Sequence, residues 1–299
     1  MTSKSIRAVV VKRPSDYEQL LATHATRAQA EFFLASRSQS IDEILRDHEM
    51  QEKAIAAVHG AIPSGWRRTA IVRAELSRFL FEPEDVVLVV GQDGLVANVA
   101  KYLESQPVIG INPLPHRFDG PLVRHPPAAA RDLLRDLDGG KVLRVSERTM
   151  VRATLDDGQS LSALNEIFIG HRSHQSARYR IALHKRDERH SSSGLICCTG
   201  TGASGWASSI ARAIRWGEPL PKPSAPSLAF FVREAWKSRV TGDSVVHGLV
   251  GEGQSLRITS EMNSGGVVFG DGIEDDFLAF DWGRVASIRV AENRLRLIE

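Results

Sequence analysis

Apolar and polar positions along this chain change rhythm at one clear point. Ile6 to Val11 is a short, almost unbroken apolar run and predicts a buried first strand. Between residues 14 and 60 the spacing becomes helical with interruptions. Apolar residues recur over Tyr17 to Ala22 and again over Ile41 to Val58, with Asp42, Glu43 and Asp47 on the exposed faces. The loop Pro63 to Thr69 introduces Ile71-Val72, a short edge strand. The β-branched run Val86 to Val90 then stops at Gly91. A tight turn, Gly91-Gln92-Asp93-Gly94, is followed by apolar positions at helical spacing: Leu95, Val96, Val99, Tyr102 and Leu103. Gln106 to Asn112 is a second buried strand. It runs into the Pro- and Gly-rich loop Pro113 to Gly120, a ligand-side loop by its position after a strand. Ala128 to Leu137 is a short helix stopped by Asp138-Gly139-Gly140.

At Gly139-Gly140 the pattern shifts to short alternating runs separated by turns. They cover Val142 to Ala153, the turn Asp156-Asp157-Gly158, Ser162 to Gly170, Tyr179 to Lys185 and Gly194 to Thr199. Ser227 to Val232, Ser255 to Ser260, Val267 to Phe269, Phe277 to Phe280 and Val285 to Ala291 follow. One helix, Ala207 to Trp216, interrupts them, and Gly217 to Pro226 is a proline-stiffened loop. The expected organisation is an α/β domain over residues 1–138 and a β-rich, sandwich-like domain from residue 139 to about 276.

Four stretches can carry chemistry. Asp93 is the only acid in its turn, and the turn lies beyond the carboxyl end of a strand, where open α/β sheets place their ligands. Thr199 to Ser209 is Gly-rich and opens a helix. Its glycines, Gly200, Gly202 and Gly205, match Gly-x-Gly-x-x-Gly. Amides at such a helix start suit phosphate. A dinucleotide fingerprint, another kind of phosphate loop and a plain structural turn all fit this stretch. Asn165-Glu166 enters an apolar strand with an amide and a carboxylate on opposite faces. By itself it fits a turn cap with a solvated acid, or a grip on ribose hydroxyls. Asp271-Gly272 is an ordinary turn by itself, and the acids Glu274 to Asp276 fit a solvated loop, with metal binding as the second reading. His171, His174, His184 and His190 have irregular spacing and many neighbouring arginines, which fits a solvated loop better than a zinc site. There is no P-loop, no His-Glu-x-x-His and no Gly-x-Ser-x-Gly elbow.

Composition narrows the class. The 299 residues are 42% hydrophobic, enough for buried cores, and the net charge of +2 comes from nearly balanced signs. That balance gives no reason to expect a nucleic-acid partner. No apolar run approaches the roughly 20 residues of a membrane span. Met1 to Val11 has only a short apolar stretch, followed by Lys12-Arg13, and reads as a first strand, not a signal peptide. The only cysteines, Cys197 and Cys198, are adjacent. In a strand they face opposite ways, which disfavours a disulfide or a shared metal and fits a reducing cytoplasm.

Taken together and in order, the stretches resemble the NAD kinase family. Its motifs are a Gly-Gly-Asp-Gly-Thr turn after a buried strand, an Asn-Glu or Asn-Asp pair, a Thr- and Gly-rich loop and a late Asp-Gly. The matching segments are Gly91 to Leu95, Asn165-Glu166, Thr199 to Trp206 and Asp271-Gly272. Pro107 to Pro113, through to Asp119-Gly120, is similar to the family's next strand and loop, and looks closer to the mitochondrial-type branch. The resemblance covers roughly residues 85–280. Gln92 and Leu95 depart from the family's glycine and threonine, and Ala203 and Ser204 stand where Ser or Thr is usual.

The resemblance implies an N-terminal α/β domain and a C-terminal β-rich domain, with strands from about 277 to 299 packing back on the first. It implies transfer of a phosphoryl group from ATP or polyphosphate to the 2′-hydroxyl of the adenosine ribose of NAD, with Mg²⁺ as cofactor. Asp93 would orient that hydroxyl and accept its proton. Gly91, Gln92, Gly94, Gly200 and Gly202 would hold phosphates. Asp93, Gly94, Asn165, Glu166, Ser204, Gly205, Trp206 and Ser209 would hold NAD. The metal ligands are not assigned. The family's habit of forming dimers and tetramers implies a homo-oligomer. Gln92 and Leu95 keep open a second class, a non-catalytic sensor of NAD or NADP. A kinase of another small molecule or lipid shares the fold plan but lacks the Asn-Glu pair and the Gly-rich loop.

Overall fold

The computed structural model describes residues 6–299, so Met1 to Ser5 of the stretch read as a first strand and not a signal peptide lie outside the described residues. The chain divides into two units. The first runs through Val99 and takes in Gln106–Ser146 and Arg296–Glu299; the second comprises Ala100–Ser105 and Glu147–Leu295.

The first unit opens with β1 (Arg7–Lys12), followed by helices α1 (Asp16–His24), α2 (Arg27–Ala35) and α3 (Ile41–Ala61). Then come β2 (Arg67–Val72), β3 (Asp85–Val90), α4 (Asp93–Ala100), β4 (Pro107–Ile111) and α5 (Ala130–Asp138). The strands form a parallel sheet in the order β2, β1, β3, β4. Of its central strands, β3 is buried along its whole length and β1 at all but its two ends, as valine-rich apolar sequences require of a parallel sheet covered on both faces. Val10, Leu88, Val90 and Ile109 pack in one cluster with Val58 of α3 and Leu134 of α5. Helix starts are set by side-chain caps: Ser15 closes a capping box with Glu18, and Ser40 caps α3.

Two expectations are corrected here. Asp47 is not on an exposed face of α3. It is only 8% exposed, with two loop side chains, His116 and Arg117, paired to it, as described below. The turn after β3 is also tighter than the sequence spacing suggests, since α4 begins at Asp93 itself.

The second unit is a two-sheet sandwich. Its first elements are β5 (Val145–Leu155), β6 (Ser160–Ala163), β7 (Glu166–His171), β8 (Ala177–Leu183), β9 (Arg186–Ser192) and β10 (Leu195–Cys198). Then follow α6 (Trp206–Ala213), β11 (Ser227–Val232), β12 (His247–Gly251), β13 (Leu256–Ser260), β14 (Gly266–Gly270), β15 (Phe277–Ala279) and β16 (Val285–Ile298). One sheet has the order β12, β11, β10, β7, β14, β15 and is antiparallel. In the other, β16, β13, β8 and β9 run antiparallel, with β5 and β6 beside β16. Ile167, Cys197 and Phe230 of the first sheet share one core with Tyr179, Ile258 and Ile288 of the second. The outer face of the first sheet, with Ile196, Cys198 and Phe231, is covered by Ala207 and Ala211 of α6. Cys197 and Cys198 therefore point to opposite faces, as their adjacency in a strand dictates. The last strand ends in the first unit, where Arg296–Leu297 lies parallel to β4.

The sequence rhythm misses β9 and β12. Arg186–Ser192 is strongly polar, yet it pairs with β8 along its whole length. His190, expected in a solvated loop, is fully buried there and stacks on Tyr179 with ring centroids 5.6 Å apart. The run Ser162 to Gly170 is two strands, β6 and β7, broken at Leu164-Asn165.

Candidate functional site

In the first unit, β3 delivers the chain to Gly91 and Gln92, and α4 starts at once with Asp93. The Asp93 carboxylate is at the positive end of that helix, a favourable place for a negative charge. Its Oδ1 accepts hydrogen bonds from the amides of Leu122 at 3.0 Å and Val123 at 3.1 Å. Gly120 lies directly beneath: a Cβ there would stand 2.3 Å from Asp93 Oδ1. The carboxylate is thus aimed by a backbone segment some thirty residues later in the chain, while its side chain stays partly exposed. Gly94 beside it is exposed and Gly91 is buried. Leu95 is buried under the turn, its Cδ2 3.0 Å from the point where Gly91 would carry a Cβ. In place of the hydroxyl of the family's threonine, it gives the turn an apolar floor. Gln92 shares a small pocket with Asp47, His48, Leu114 and Arg117.

In the second unit, Asn165-Glu166, Thr199 to Gly202 and Asp271 come together. Asp271 is the organising group. Its carboxylate accepts from the amides of Leu164 (2.8 Å), Asn165 (2.7 Å) and Glu166 (3.4 Å). Its backbone is left-handed, with φ at 53°, a conformation Asp tolerates better than most residues. Thr199 is a second organiser. Its hydroxyl donates to Leu164 O at 2.6 Å and accepts from the amides of Thr201 and Gly202 at 3.0 and 3.3 Å. Its own amide donates to Asn165 O at 2.9 Å. Side chains at Gly200 and Gly202 would collide with Lys222 O at 2.0 Å and Asn165 O at 2.3 Å. These two glycines are needed for close backbone packing, and the Gly202 amide is engaged inside the protein. The exposed part of the loop is Ser204, Gly205 and Trp206, with Ser209 one turn along α6. Trp206 is half exposed, and the Arg233 guanidinium lies 5.3 Å from its ring centroid.

Glu166 is not the solvated acid that the pair alone suggests. Burial, reinforced by the Asp271 carboxylate, pushes its carboxyl up to about 7. Among the described residues no hydrogen bond or ion pair engages that carboxyl group. Burial likewise pushes Asp271 up to about 6 against the opposing pull of its three amides. Burial also drives the Cys198 thiol up to about 12, which makes it unreactive. Nor is the acidic run 274–276 uniformly solvated. Asp276 accepts from Tyr102 Oη at 2.8 Å and lies 2.6 Å from the Nζ of the buried Lys101.

Sequence reasoning singled out Asp93, Asn165, Glu166 and the Gly-rich loop, but gave no role to Thr199, Gly120 or Asp47. A threonine immediately before Gly-x-Gly is a signal for a hydroxyl-closed turn. Burial of Asp47 has no signal at helical spacing. Among the described residues no three His, Cys, Asp or Glu side chains converge as a metal cage.

No protein-family profile matches the chain. It is 29% identical over 205 residues to a protein described as a probable NADH kinase from Oryza sativa subsp. japonica. The match spans 62% of this chain and 62% of the rice protein, less than two thirds of that relative's length. Among solved structures, an NAD kinase from Archaeoglobus fulgidus in complex with ATP superposes with a TM-score of 0.59 at 17% identity, over 98% of this chain and 94% of that one. A yeast NADH kinase complexed with NADH gives a TM-score of 0.62 at 14% identity, over 99% of this chain and 84% of that one. The chain has the fold of these kinases, and its resemblance to the NAD kinase family extends from motifs to architecture.

Proposed function

We propose that this protein is a kinase that transfers a phosphoryl group from ATP or polyphosphate to the 2′-hydroxyl of the adenosine ribose of NAD or NADH, giving the 2′-phosphorylated dinucleotide. The observation that carries this reading is Asp93. It is a partly exposed carboxylate at a helix start beyond β3, aimed by two backbone amides, in the turn that resembles the family's first motif. The likeness in fold and the rice relative support it.

An alcohol is a weak nucleophile, and Asp93 accepts its proton as attack proceeds. The ribose oxygen forms a bond to the transferred phosphorus, the bond from phosphorus to the donor's bridging oxygen breaks, and ADP or a shortened polyphosphate leaves. Positioning and charge neutralisation supply the rest. Gly91, Gln92 and Gly94 hold donor phosphates at the turn. Asn165 and Glu166 hold the ribose and nicotinamide parts, and a Glu166 protonated near neutral pH can donate a hydrogen bond to them. Ser204, Gly205, Trp206 and Ser209 hold the rest of the dinucleotide, with Gly200 and Gly202 shaping the loop beneath. A single turn carboxylate, with phosphates and water, fits the donor set that Mg²⁺ takes. Such an ion would neutralise charge on the donor phosphates.

The test is NADP formation from NAD, Mg²⁺ and ATP, then with polyphosphate, read by a coupled dehydrogenase beside Asp93→Asn. NADP is expected with at least one donor. The variant should lose about 10²- to 10⁴-fold in turnover, the usual contribution of a general base. Turnover above about a third of wild type would remove Asp93 from that role, since so small a loss is below any general-base contribution.

Leu95 favours a second reading. Buried under the turn, it leaves an apolar side chain where the family carries a threonine. A sensor that binds NAD or NADP without turnover fits that loss. Calorimetric NAD binding with no NADP from either donor selects it.

A further inference from the structure

The loop that leads into the segment aiming Asp93 is held from α3. Asn112, at the end of β4, ties the loop Pro113–Gly120 into a fixed turn. Its Oδ1 accepts from the Leu114 amide at 2.9 Å and its Nδ2 donates to Phe118 O at 2.7 Å. The amides of Arg117 and Phe118 both donate to Leu114 O at 3.0 Å. Beyond Gly120, the chain runs along β4, with Asn112 N–H donating to His125 O at 2.8 Å. The outer arm of this loop has one strong attachment elsewhere. Arg117 Nη1 donates to Asp47 Oδ2, and His116 Nε2 lies 3.3 Å from Asp47 Oδ1. Asp47 is only 8% exposed, whereas His116 and Arg117 are exposed. A buried carboxylate needs its partners, so the Arg117 guanidinium and the His116 ring hold the loop to α3. The hydrogen bond to Asp47 also pushes the Arg117 guanidinium above its usual range.

We infer that Asp47 is a positioning residue for the phosphoryl-transfer centre: by gripping Arg117 and His116 it fixes the loop that carries Gly120 and the Leu122 and Val123 amides, and so fixes the direction of the Asp93 carboxylate. The inference rests on the kinase reading for its effect on rate, but not for its effect on the loop. It also gives the N-terminal helices a task. α3 is the wall against which the loop is set, and the pocket beside Gln92 is the gap between them.

The experiment compares wild type, Asp47→Asn, Asp47→Ala and Arg117→Lys, each alone and in an Asp93→Asn background, alongside hydrogen exchange at the Leu122 and Val123 amides. Displacing a catalytic group by about 1 Å costs on the order of 10²-fold. Asp47→Ala is therefore expected to lower kcat about 10- to 100-fold with KM for NAD unchanged within about threefold. Arg117→Lys keeps the charge without the planar fork and should lose less than Asp47→Ala. The decisive arm is the double variant: with Asp93→Asn present, Asp47→Ala should cost little further. A purely structural role for Asp47 would depress residual activity equally in both backgrounds, and that result overturns the inference. So does exchange at Leu122 and Val123 that stays as slow in Asp47→Ala as in wild type. Faster exchange at these amides in a protein that makes no NADP would support the loop contact and sink the kinase reading alone.

Discussion

The molecule carries two Asp-Gly turns, Asp93-Gly94 and Asp271-Gly272, and in both the carboxylate accepts backbone amides from a distant segment. Their surroundings make them different instruments. Asp93 sits at the start of α4, partly exposed, with one oxygen bound by two amides. Asp271 lies in a left-handed turn with its carboxylate turned inward, accepting three amides from Leu164–Glu166 and pushed up to about 6 by burial. The first carboxylate is held so that it can meet a ligand. The second is enclosed so that a neighbouring pair, Asn165-Glu166, is held in place. On the proposed reading, the same dipeptide serves chemistry in one unit, while in the other it serves scaffolding. What decides is how much solvent reaches the carboxyl group, not the local sequence.

The largest effect should come from separating the two roles. Asp93→Asn keeps an oxygen that accepts from Leu122 and Val123, so the fold survives. Activity should fall about 10²- to 10⁴-fold, with the melting temperature within about 3 °C of wild type, since most of the contact set is kept. Asp271→Ala should invert this pattern. It removes the common acceptor of three amides and places alanine at a positive φ. With buried unsatisfied donors costing about 1–3 kcal/mol each, a stability loss of about 2–4 kcal/mol is expected in urea unfolding. Asp271→Asn retains an acceptor, sheds the cost of a buried charge and tolerates the left-handed backbone, so it should lose less than half as much. Equal losses for the two substitutions would mean that Asp271 is not the keystone of this segment.

The contrast between the turns also marks what a sequence can carry. The strand, turn and helix around Asp93 were legible because Val86 to Val90 and the spacing of Leu95, Val96 and Val99 are local signals with clear periods. The sandwich was legible for the same reason, and so were the opposite faces of Cys197 and Cys198. Asp271 read as an ordinary turn because its three partners lie in another strand pair. Asp47 read as exposed because helical spacing places a polar residue on a face without saying what packs there. Strand β9 was missed because Arg186–Ser192 has no apolar rhythm. Its place follows from pairing with β8, whose alternate residues Tyr179, Ile181 and Leu183 face the core. Glu166 lay between these cases: the residue was visible, and its environment was not.

That environment gives the smallest and most pH-specific effect. Burial and Asp271 hold the Glu166 carboxyl at about 7 in the folded protein, against an ordinary value of 4.5. Below pH 4.5 the group is protonated whether the chain is folded or not, and its burial costs no charge. As pH rises, the unfolded chain ionises first, so stability falls steadily until the folded carboxyl also ionises near 7. Glu166→Gln removes this titration. The variant should match wild type near pH 4 and exceed it by about 1–3 kcal/mol near pH 8, with about 1.4 kcal/mol for each tenfold change in proton affinity as the ceiling. Asp271, raised to about 6, titrates with the same sign in both proteins and cancels to first order. Urea unfolding of the pair at several pH values measures the difference. A gap that stays flat from pH 4 to 8 would show that Glu166 ionises like a surface acid. The enclosed half of the comparison would then shrink to Asp271 alone.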